Sequence, residues 1–245
     1  MVGLAGQQNA GKSTVFNMLT GATQHIANYP GVTVDKKTGT YRDSTGRVEV
    51  VDLPGTYSLT SYSLEERVAR DFLLREKPDA VVNIIDASSL KRGLFFTFQL
   101  LEMGFPTVMA LNMIDVAKTN GQTVDHDKLS SILGIPVIPT IGRKGRGKQE
   151  LKDAVRQSAG KTPVQDRKVV KYERLEKHIE AIGEMLAQSD SLKKHVLSCR
   201  WLAIKLLEKD PEAVKILEEH HIEHKHILEE TAAVIKNFEA EAGVS

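Results

Sequence analysis

Gly6-Gln7-Gln8-Asn9-Ala10-Gly11-Lys12-Ser13 satisfies the pattern G-x-x-x-x-G-K-[ST] at every fixed position. Val2-Gly3-Leu4-Ala5 before it reads as a short buried strand, and the run from Ser13 to Leu19 after it has the spacing of a helix. Strand, loop and helix thus follow in the order a phosphate-binding loop requires. The two glycines let the backbone wrap closely round an anion, with N–H groups and a helix N-terminus aimed at it. Lys12 supplies a mobile positive charge, Ser13 a hydroxyl for magnesium, and Thr14 opens the helix beside them.

The rest of the chain is consistent with an ordinary nucleotide-binding domain plus a smaller one. At 245 residues, 41% of them hydrophobic, it has enough apolar side chains for two cores. Its 33 basic and 32 acidic residues nearly cancel, so no global field draws it to nucleic acid or to an anionic membrane. Cys199 is the single cysteine, which excludes an internal disulfide, and with Val196, Leu197, Trp201 and Leu202 around it reads as a packed core thiol. The longest apolar runs, around Ala80–Ile85 and Thr107–Leu111, fall far short of the roughly 20 residues a membrane span needs. No basic region followed by an apolar segment and a small-residue cleavage site opens the sequence, since the phosphate loop begins at once, which predicts that no export signal is present.

After the first helix, residues 22–36 are polar, interrupted by Pro30-Gly31, and without sustained period, which predicts a functional loop. Within it Gly31-Val32-Thr33-Val34 offers one hydroxyl that a loop folding over a triphosphate could bring to magnesium. Thr38–Arg42 and Val48–Val51, separated by the turn-forming Asp43–Gly46, predict a hairpin. Its second strand ends in Asp52-Leu53-Pro54-Gly55. D-x-x-G arises by chance about once in a chain of this length, so position carries the weight. A carboxylate at the carboxyl end of a strand, 40 residues after Lys12, is where magnesium needs support, and Gly55 would offer an N–H to a γ-phosphate.

Ser63–Arg75 has helical spacing with Glu65 and Glu66 in its first turn. Asp79–Asp86 is apolar on both faces, as a central parallel strand should be; Leu90–Met103 then predicts a helix and Pro106–Leu111 another buried strand. That strand runs into Asn112-Met113-Ile114-Asp115. An aspartate there can accept two hydrogen bonds from N1–H and the exocyclic amine of guanine, an arrangement adenine does not offer. The competing explanation, a helix cap, is outweighed by the order of the three motifs. A short helix over Asp125–Leu133, a strand over Ile135–Pro139, a glycine- and arginine-rich loop over Thr140–Gly147 and a helix over Glu150–Ser158 complete an α/β unit with a mostly parallel sheet.

These residues, together with the longer strings Asp52-Leu53-Pro54-Gly55-Thr56-Tyr57-Ser58-Leu59 and Tyr62-Ser63-Leu64-Glu65-Glu66, resemble the cytosolic N-terminal region of the ferrous iron transport protein B family. The resemblance implies a Ras-like GTPase domain over residues 1–160 and, over 167–245, a helical domain regarded in that family as modulating GDP binding. It also implies a membrane transporter domain elsewhere in the full-length chain, placing this region at the cytoplasmic face of a bacterial inner membrane. GTP and GDP, with magnesium on Ser13, Thr33 and Asp52, follow from it. So does potassium on Asn9, since related GTPases use an asparagine at this position to hold a monovalent cation. Gln7-Gln8 departs from the family's usual Asn-Pro, and Ala10 fills a variable position. Ile141-Gly142 stands where many GTPases have Ser-Ala, with Arg143 next, and predicts a slacker base-contacting loop. Met113 replaces a lysine that often covers the purine, and both changes predict fast GDP release. Thr56 stands where many GTPases carry a water-orienting glutamine, which predicts slow hydrolysis.

From Arg167 onward the composition is helical, with Tyr172, Leu175, Ile179, Ile182 and Leu186 forming one apolar stripe and Asp210-Pro211 opening a helix. A last helix carries Ile227, Thr231, Ile235 and Phe238 and ends at Gly243, giving three or four helices in all. This region holds 13 basic against 15 acidic residues, which argues against an RNA-binding appendage and so against a ribosome-assembly GTPase. A nucleotide-gated binding module with incidental hydrolysis is the other alternative, and self-association of the chain is left open. His220, His221, His224 and His226 invite an iron site, but they read better as solvated side chains around a helix break.

Overall fold

The computed structural model describes residues 1–21, 24–44, 46–59, 63–159, 169–195, 198–220 and 225–243. They fall into two compact units: one runs from the N-terminus to Ala159 without Glu102–Gly104, the other takes Glu102–Gly104 and the residues from Val169 on.

The first unit is a seven-stranded sheet in the order β2-β3-β4-β1-β5-β6-β7. Its strands are β1 Val2–Gly6, β2 Gln24–Asn28, β3 Asp35–Asp43, β4 Gly46–Asp52, β5 Ala80–Asp86, β6 Thr107–Asn112 and β7 Val137–Pro139. β4, β1, β5, β6 and β7 are parallel, and β2 and β3 are antiparallel additions at one edge. β1, β5 and β6 are buried nearly throughout, which is why each reads as a continuous apolar run rather than an alternating one.

Helices α1 Lys12–Thr20, α2 Leu64–Glu76, α3 Leu90–Glu102, α4 Ile114–Thr119, α5 His126–Leu133 and α6 Lys148–Ser158 follow the strands. One core cluster joins Val15, Phe16 and Leu19 of α1 to Leu151, Ala154 and Val155 of α6 and to Leu4, Val82 and Val108 of the sheet. Burying side chains such as Phe16 and Leu19 stabilises the unit by about 1.5–3 kcal/mol each, so α1 and the loop ahead of it are anchored by packing. α2 begins with a reciprocal capping box between Ser63 and Glu66. Gly93 allows α3 to approach β5, where a Cβ would lie 2.5 Å from Ile85 Cγ2.

The polar stretch 22–36 is not loop throughout, because Gln24–Asn28 pairs along its whole length with β3. All five residues of β2 are at least partly exposed, Ile26 at 65%. An edge strand with no buried face leaves no apolar alternation to read, and the neighbouring strand's backbone determines it. Thr33 stays in the connection that follows, where Tyr29 N–H donates to Val34 O and Val32 N–H to Tyr29 O.

The second unit holds five helices among the described residues rather than three or four: α7 Glu176–Leu186, α8 Asp190–His195, α9 Cys199–Leu207, α10 Pro211–Glu219 and α11 Lys225–Ala242. α8 has six residues, too few to show a period in the sequence. The apolar stripe buries Ile179, Ile182 and Leu186 in α7, while Tyr172 and Leu175 are half-buried around the 3₁₀ turn ahead of it. Leu202, Leu217 and Ile227 are buried in the neighbouring helices, as is Cys199. Asp210 caps α10, accepting from Glu212 N–H with Pro211 in the first turn. A buried pair, Arg200 Nη1 to Glu176 Oε1 at 2.7 Å, ties α9 to α7. α10 ends at Glu219 with His220 at its C-cap, and His226 lies in α11, whereas His221 and His224, on which the reading of a histidine-flanked helix break depends, lie outside the described residues. Among the described residues no group of three or more His, Cys, Asp or Glu could hold a metal. No described helix is long and apolar enough to cross a membrane.

Candidate functional site

The phosphate-loop motif leaves the carboxyl end of β1 between two neighbouring strands. Gly6 has φ 149°, and a Cβ on it would overlap the carbonyl oxygen of Ile84. Gln7 O accepts from Ala10 N–H at 3.3 Å, Asn9 is held left-handed at φ 65°, and Ala10 is buried. Gly11 at φ 84° has no room for a side chain, because one would collide with the amide of Asn112 and press on Met113. Gln7 is buried too, and its Nε2 is a donor for which the structure supplies no acceptor among the described residues. α1 then starts with no acidic residue in its first turn and no side-chain cap, so its N–H groups and positive dipole end remain free for an anion. Ser13 and Thr14 stand exposed there.

Lys12 Nζ lies 2.5 Å from Asp52 Oδ1, and both side chains are largely buried. Asp52 is placed by register, opposite Leu4 at the end of β4. Leu53 N–H donates to Leu4 O at 2.9 Å and Thr56 N–H to Gly6 O at 3.2 Å, so Leu53-Pro54-Gly55 is laid along the motif. Gly55 packs against Gln8, with a Cβ there 3.1 Å from Gln8 Cγ. Thr56, expected at the position of a water-orienting side chain, is buried and donates its hydroxyl to Ser58 O at 2.6 Å. That hydroxyl is committed to the backbone of its own turn.

Thr33 and Gly31 are exposed and Val32 half-buried. Among the described residues the tie from this segment to the motif runs through Tyr29, whose hydroxyl donates to Asp52 O at 3.2 Å. Burial, with the charge of Asp52 beside it, pushes the Tyr29 hydroxyl well above the ordinary phenol range. Lys36 Nζ lies 5.7 Å from both the Tyr29 and the Phe72 ring centroids. Sequence reasoning missed Tyr29; the signal was a lone aromatic residue in a polar stretch.

Asn112 ends β6 with both its side-chain oxygen and its side-chain nitrogen engaged. Its Nδ2 donates to Ala10 O at 3.0 Å, and its Oδ1 accepts from Gly142 N–H at 3.0 Å and from Thr140 Oγ1 at 3.2 Å. One buried amide therefore joins the phosphate loop to the 140–147 loop, a charge-free network with each partner satisfied. Met113 adopts φ 59° and begins α4, which places Asp115 in that helix's first turn. Asp115 Oδ1 accepts from Val116 N–H at 3.1 Å, and Oδ2 accepts from Arg143 Nη2 at 2.7 Å with Lys144 Nζ 3.8 Å away. The Arg143 hydrogen bond is the main reason the Asp115 carboxyl is held below the usual carboxylate range.

The slack base loop predicted from Ile141-Gly142 is instead braced. Ile141 is buried and pairs with Arg146, and Gly142 N–H is fixed by Asn112. A Cβ at Gly142 would stand 3.1 Å from Thr14 Cγ2, so glycine here serves close approach to α1 rather than freedom. All the motif groups except Thr33 and its neighbours are thus joined by direct contacts at one end of the sheet.

Residues 1–155 match the family described as Ferrous iron transport protein B, and residues 172–245 match the FeoB cytosolic helical domain. Among curated relatives, the chain is 43% identical over 214 residues to the Fe(2+) transport protein A/Fe(2+) transporter FeoB fusion protein of Porphyromonas gingivalis, covering 86% of this chain and 25% of that one. It is 40% identical to the Fe(2+) transporter FeoB of Salmonella typhimurium, covering 85% and 27%. The chain thus spans about a quarter of the length of these relatives. Among solved structures, an S. thermophilus NFeoB mutant bound to GDP superposes with a TM-score of 0.86 at 36% identity, covering 100% of this chain and 90% of that one. The cytosolic domain of T. maritima FeoB in its GMPPNP form gives 0.80 at 34%, covering 98% and 97%. Sequence family, sheet order and motif geometry agree: this chain, a G domain of GTPase fold followed by a helical domain, belongs to the ferrous iron transport protein B family.

Proposed function

We propose that this chain is the GTP-binding, slowly GTP-hydrolysing module of a bacterial ferrous iron transporter. Residues 1–160 serve as the GTP-binding domain and 167–245 as the helical domain. The module stands at the cytoplasmic face of the inner membrane, joined to a membrane transporter domain of the same longer protein. The observation that carries this reading is the side chain of Asn112, three residues before Asp115 in the chain, which ties the phosphate loop at Ala10 to the base loop at Gly142.

In this reading the free N–H groups at the start of α1 and the Lys12 ammonium take the β- and γ-phosphates. Lys12 must leave Asp52 to do so, which returns the carboxylate to its work beside the cation. Ser13, Thr33 and Asp52 offer the hydroxyl and carboxylate oxygens that suit magnesium, and the ion would neutralise phosphate charge there. Asn9, exposed at φ 65°, would hold potassium, and Gly55 N–H would reach the γ-phosphate. Gly6, Gln7, Gln8, Ala10, Gly11 and Thr14 shape the phosphate cradle, while Met113, Asp115, Ile141, Gly142 and Arg143 surround the base. Because the Thr56 hydroxyl is engaged by Ser58 O, no side chain at that position orients water, and turnover is slow. The same observation favours, as a second reading, a nucleotide-gated module in which hydrolysis is incidental.

Affinities for GTP and ATP measured by calorimetry test the reading: strong preference for GTP is expected, and equal affinities overturn it. Turnover in potassium against sodium at constant ionic strength, in the native protein and in Asn9→Ala, tests the cation. Potassium should accelerate the native protein alone, and equal rates in the two salts remove potassium from the mechanism.

A further inference from the structure

Asp115 has two carboxylate oxygens, and recognition of guanine uses both, one for N1–H and one for the exocyclic amine. One of them, Oδ2, is held by Arg143 at 2.7 Å, with Lys144 3.8 Å away. A guanidinium group is planar and presents N–H donors side by side, the pattern guanine itself presents on its N1–C2 edge. Arg143 and guanine therefore bring the same kind of donor to one carboxylate, and a base docked on that edge meets an Oδ2 already engaged by Arg143.

The placement of Arg143 makes this a built feature. Its chain neighbour Gly142 is pinned by Asn112 and pressed against Thr14, and the loop is closed by the pairing of Ile141 with Arg146. The backbone is thus held at the base station by the Asn112 hydrogen bond while the arginine side chain is 67% exposed. Asp115 is much less exposed, at 20%. The partner that solvent can receive is the arginine.

We propose that Arg143 is an internal competitor for guanine, a side chain that holds Asp115 until the base takes the carboxylate and recaptures it as the base departs. This rests on the reading of Asp115 as the guanine-binding residue, and it moves the origin of easy nucleotide release from a slack loop to one arginine. An exposed ion pair is weak, so the competition is modest. It multiplies the apparent dissociation constant by the inverse of the fraction of protein in which Asp115 is free, about two- to sixfold.

Stopped-flow and equilibrium binding of a fluorescent GDP analogue to the native protein, Arg143→Ala, Asp115→Ala and the double variant provide the test. Arg143→Ala should bind GDP about two- to sixfold more tightly, and the gain should vanish in the Asp115→Ala background. Arg143→Gln, which keeps length and loses charge, should behave as Arg143→Ala does. The advantage of both variants should shrink as salt rises from about 0.1 M to about 1 M, where the screening length falls to about 3 Å. Weaker binding by Arg143→Ala would make the arginine a contact to the nucleotide and overturn the proposal, as would unchanged binding. If the native protein shows no preference for GDP over ADP, the assignment of Asp115 itself fails. That result is distinct from a guanine-selective protein indifferent to Arg143.

Discussion

Two ion pairs bracket the proposed nucleotide site, and they differ in almost everything except charge. Lys12 and Asp52, 12% and 5% exposed, meet at 2.5 Å between the phosphate loop and the end of β4. Arg143 and Asp115, 67% and 20% exposed, meet at 2.7 Å across the base station. In the buried pair each charge depends on the other, because neither has enough water to stand alone. In the exposed pair either side chain can return to solvent at little cost. The phosphate end is thus committed to structure as well as to ligand, whereas the base end is left adjustable.

The largest effect should come from breaking the buried pair. Lys12→Ala removes the proposed phosphate-binding cation and strands the Asp52 carboxylate, so nucleotide binding should be lost and stability reduced by about 3–5 kcal/mol. Calorimetry and thermal unfolding would record both, and a loss of binding with unchanged stability would show that the pair does not hold the fold.

Asn112→Ala comes next. It deprives Ala10 O, the Thr140 hydroxyl and Gly142 N–H of one partner each, at about 1–3 kcal/mol for each group left unsatisfied in the interior. Denaturant unfolding should shift to lower concentration, and affinity for GDP should fall with it. Retained affinity at reduced stability would separate the brace from the site.

Asp115→Asn should be gentler on the fold and selective in its effect on binding. Guanine nucleotides should lose about 10- to 100-fold in affinity, xanthosine nucleotides should gain, and the melting temperature should not move. A melting shift like that of Lys12→Ala would erase the contrast between the two pairs.

The smallest effect sharpens the comparison by pH. Arg143 lowers the pKa of the Asp115 carboxyl, so Asp115 stays ionised further down the acid range than an ordinary aspartate at about 3.9. On acidification, preference for guanine should therefore persist to lower pH in the native protein than in Arg143→Ala. Coincident profiles would show that the arginine exerts no hold on the carboxylate.

What the sequence made legible follows the same division. Buried elements announced themselves: β1, β5 and β6 are apolar because both faces are covered, and the glycines at positions 6 and 11 stand where a side chain cannot fit. Asn112 and Asp115 were readable because both lie in one short motif at a strand end. β2 was not, because its residues bury no face and its pairing with β3 is written in the backbone. The role of Tyr29 was hidden by a separation of 23 residues from Asp52, and the Arg143–Asp115 pair by 28. A side chain's type tells what it can do, but a loop-to-loop meeting depends on two backbones that no local pattern fixes. The slack predicted for Ile141-Gly142 failed for that reason, since glycine's freedom is cancelled by Asn112 and Thr14.

The Asn112 amide has one more consequence, for how the site measures its ligand. It fastens Ala10 on one side and Gly142 on the other, so in the proposed site it ties the backbone of the phosphate station to that of the base station. A nucleotide bound as proposed should match that spacing, since moving one station relative to the other would break a hydrogen bond of Asn112. Strain applied at either station is also felt at the other through two hydrogen bonds. Amide hydrogen exchange at Ala10 and Gly142, each adjoining this brace, should therefore slow together when a guanosine alone engages the base station, with no phosphate present to touch the loop.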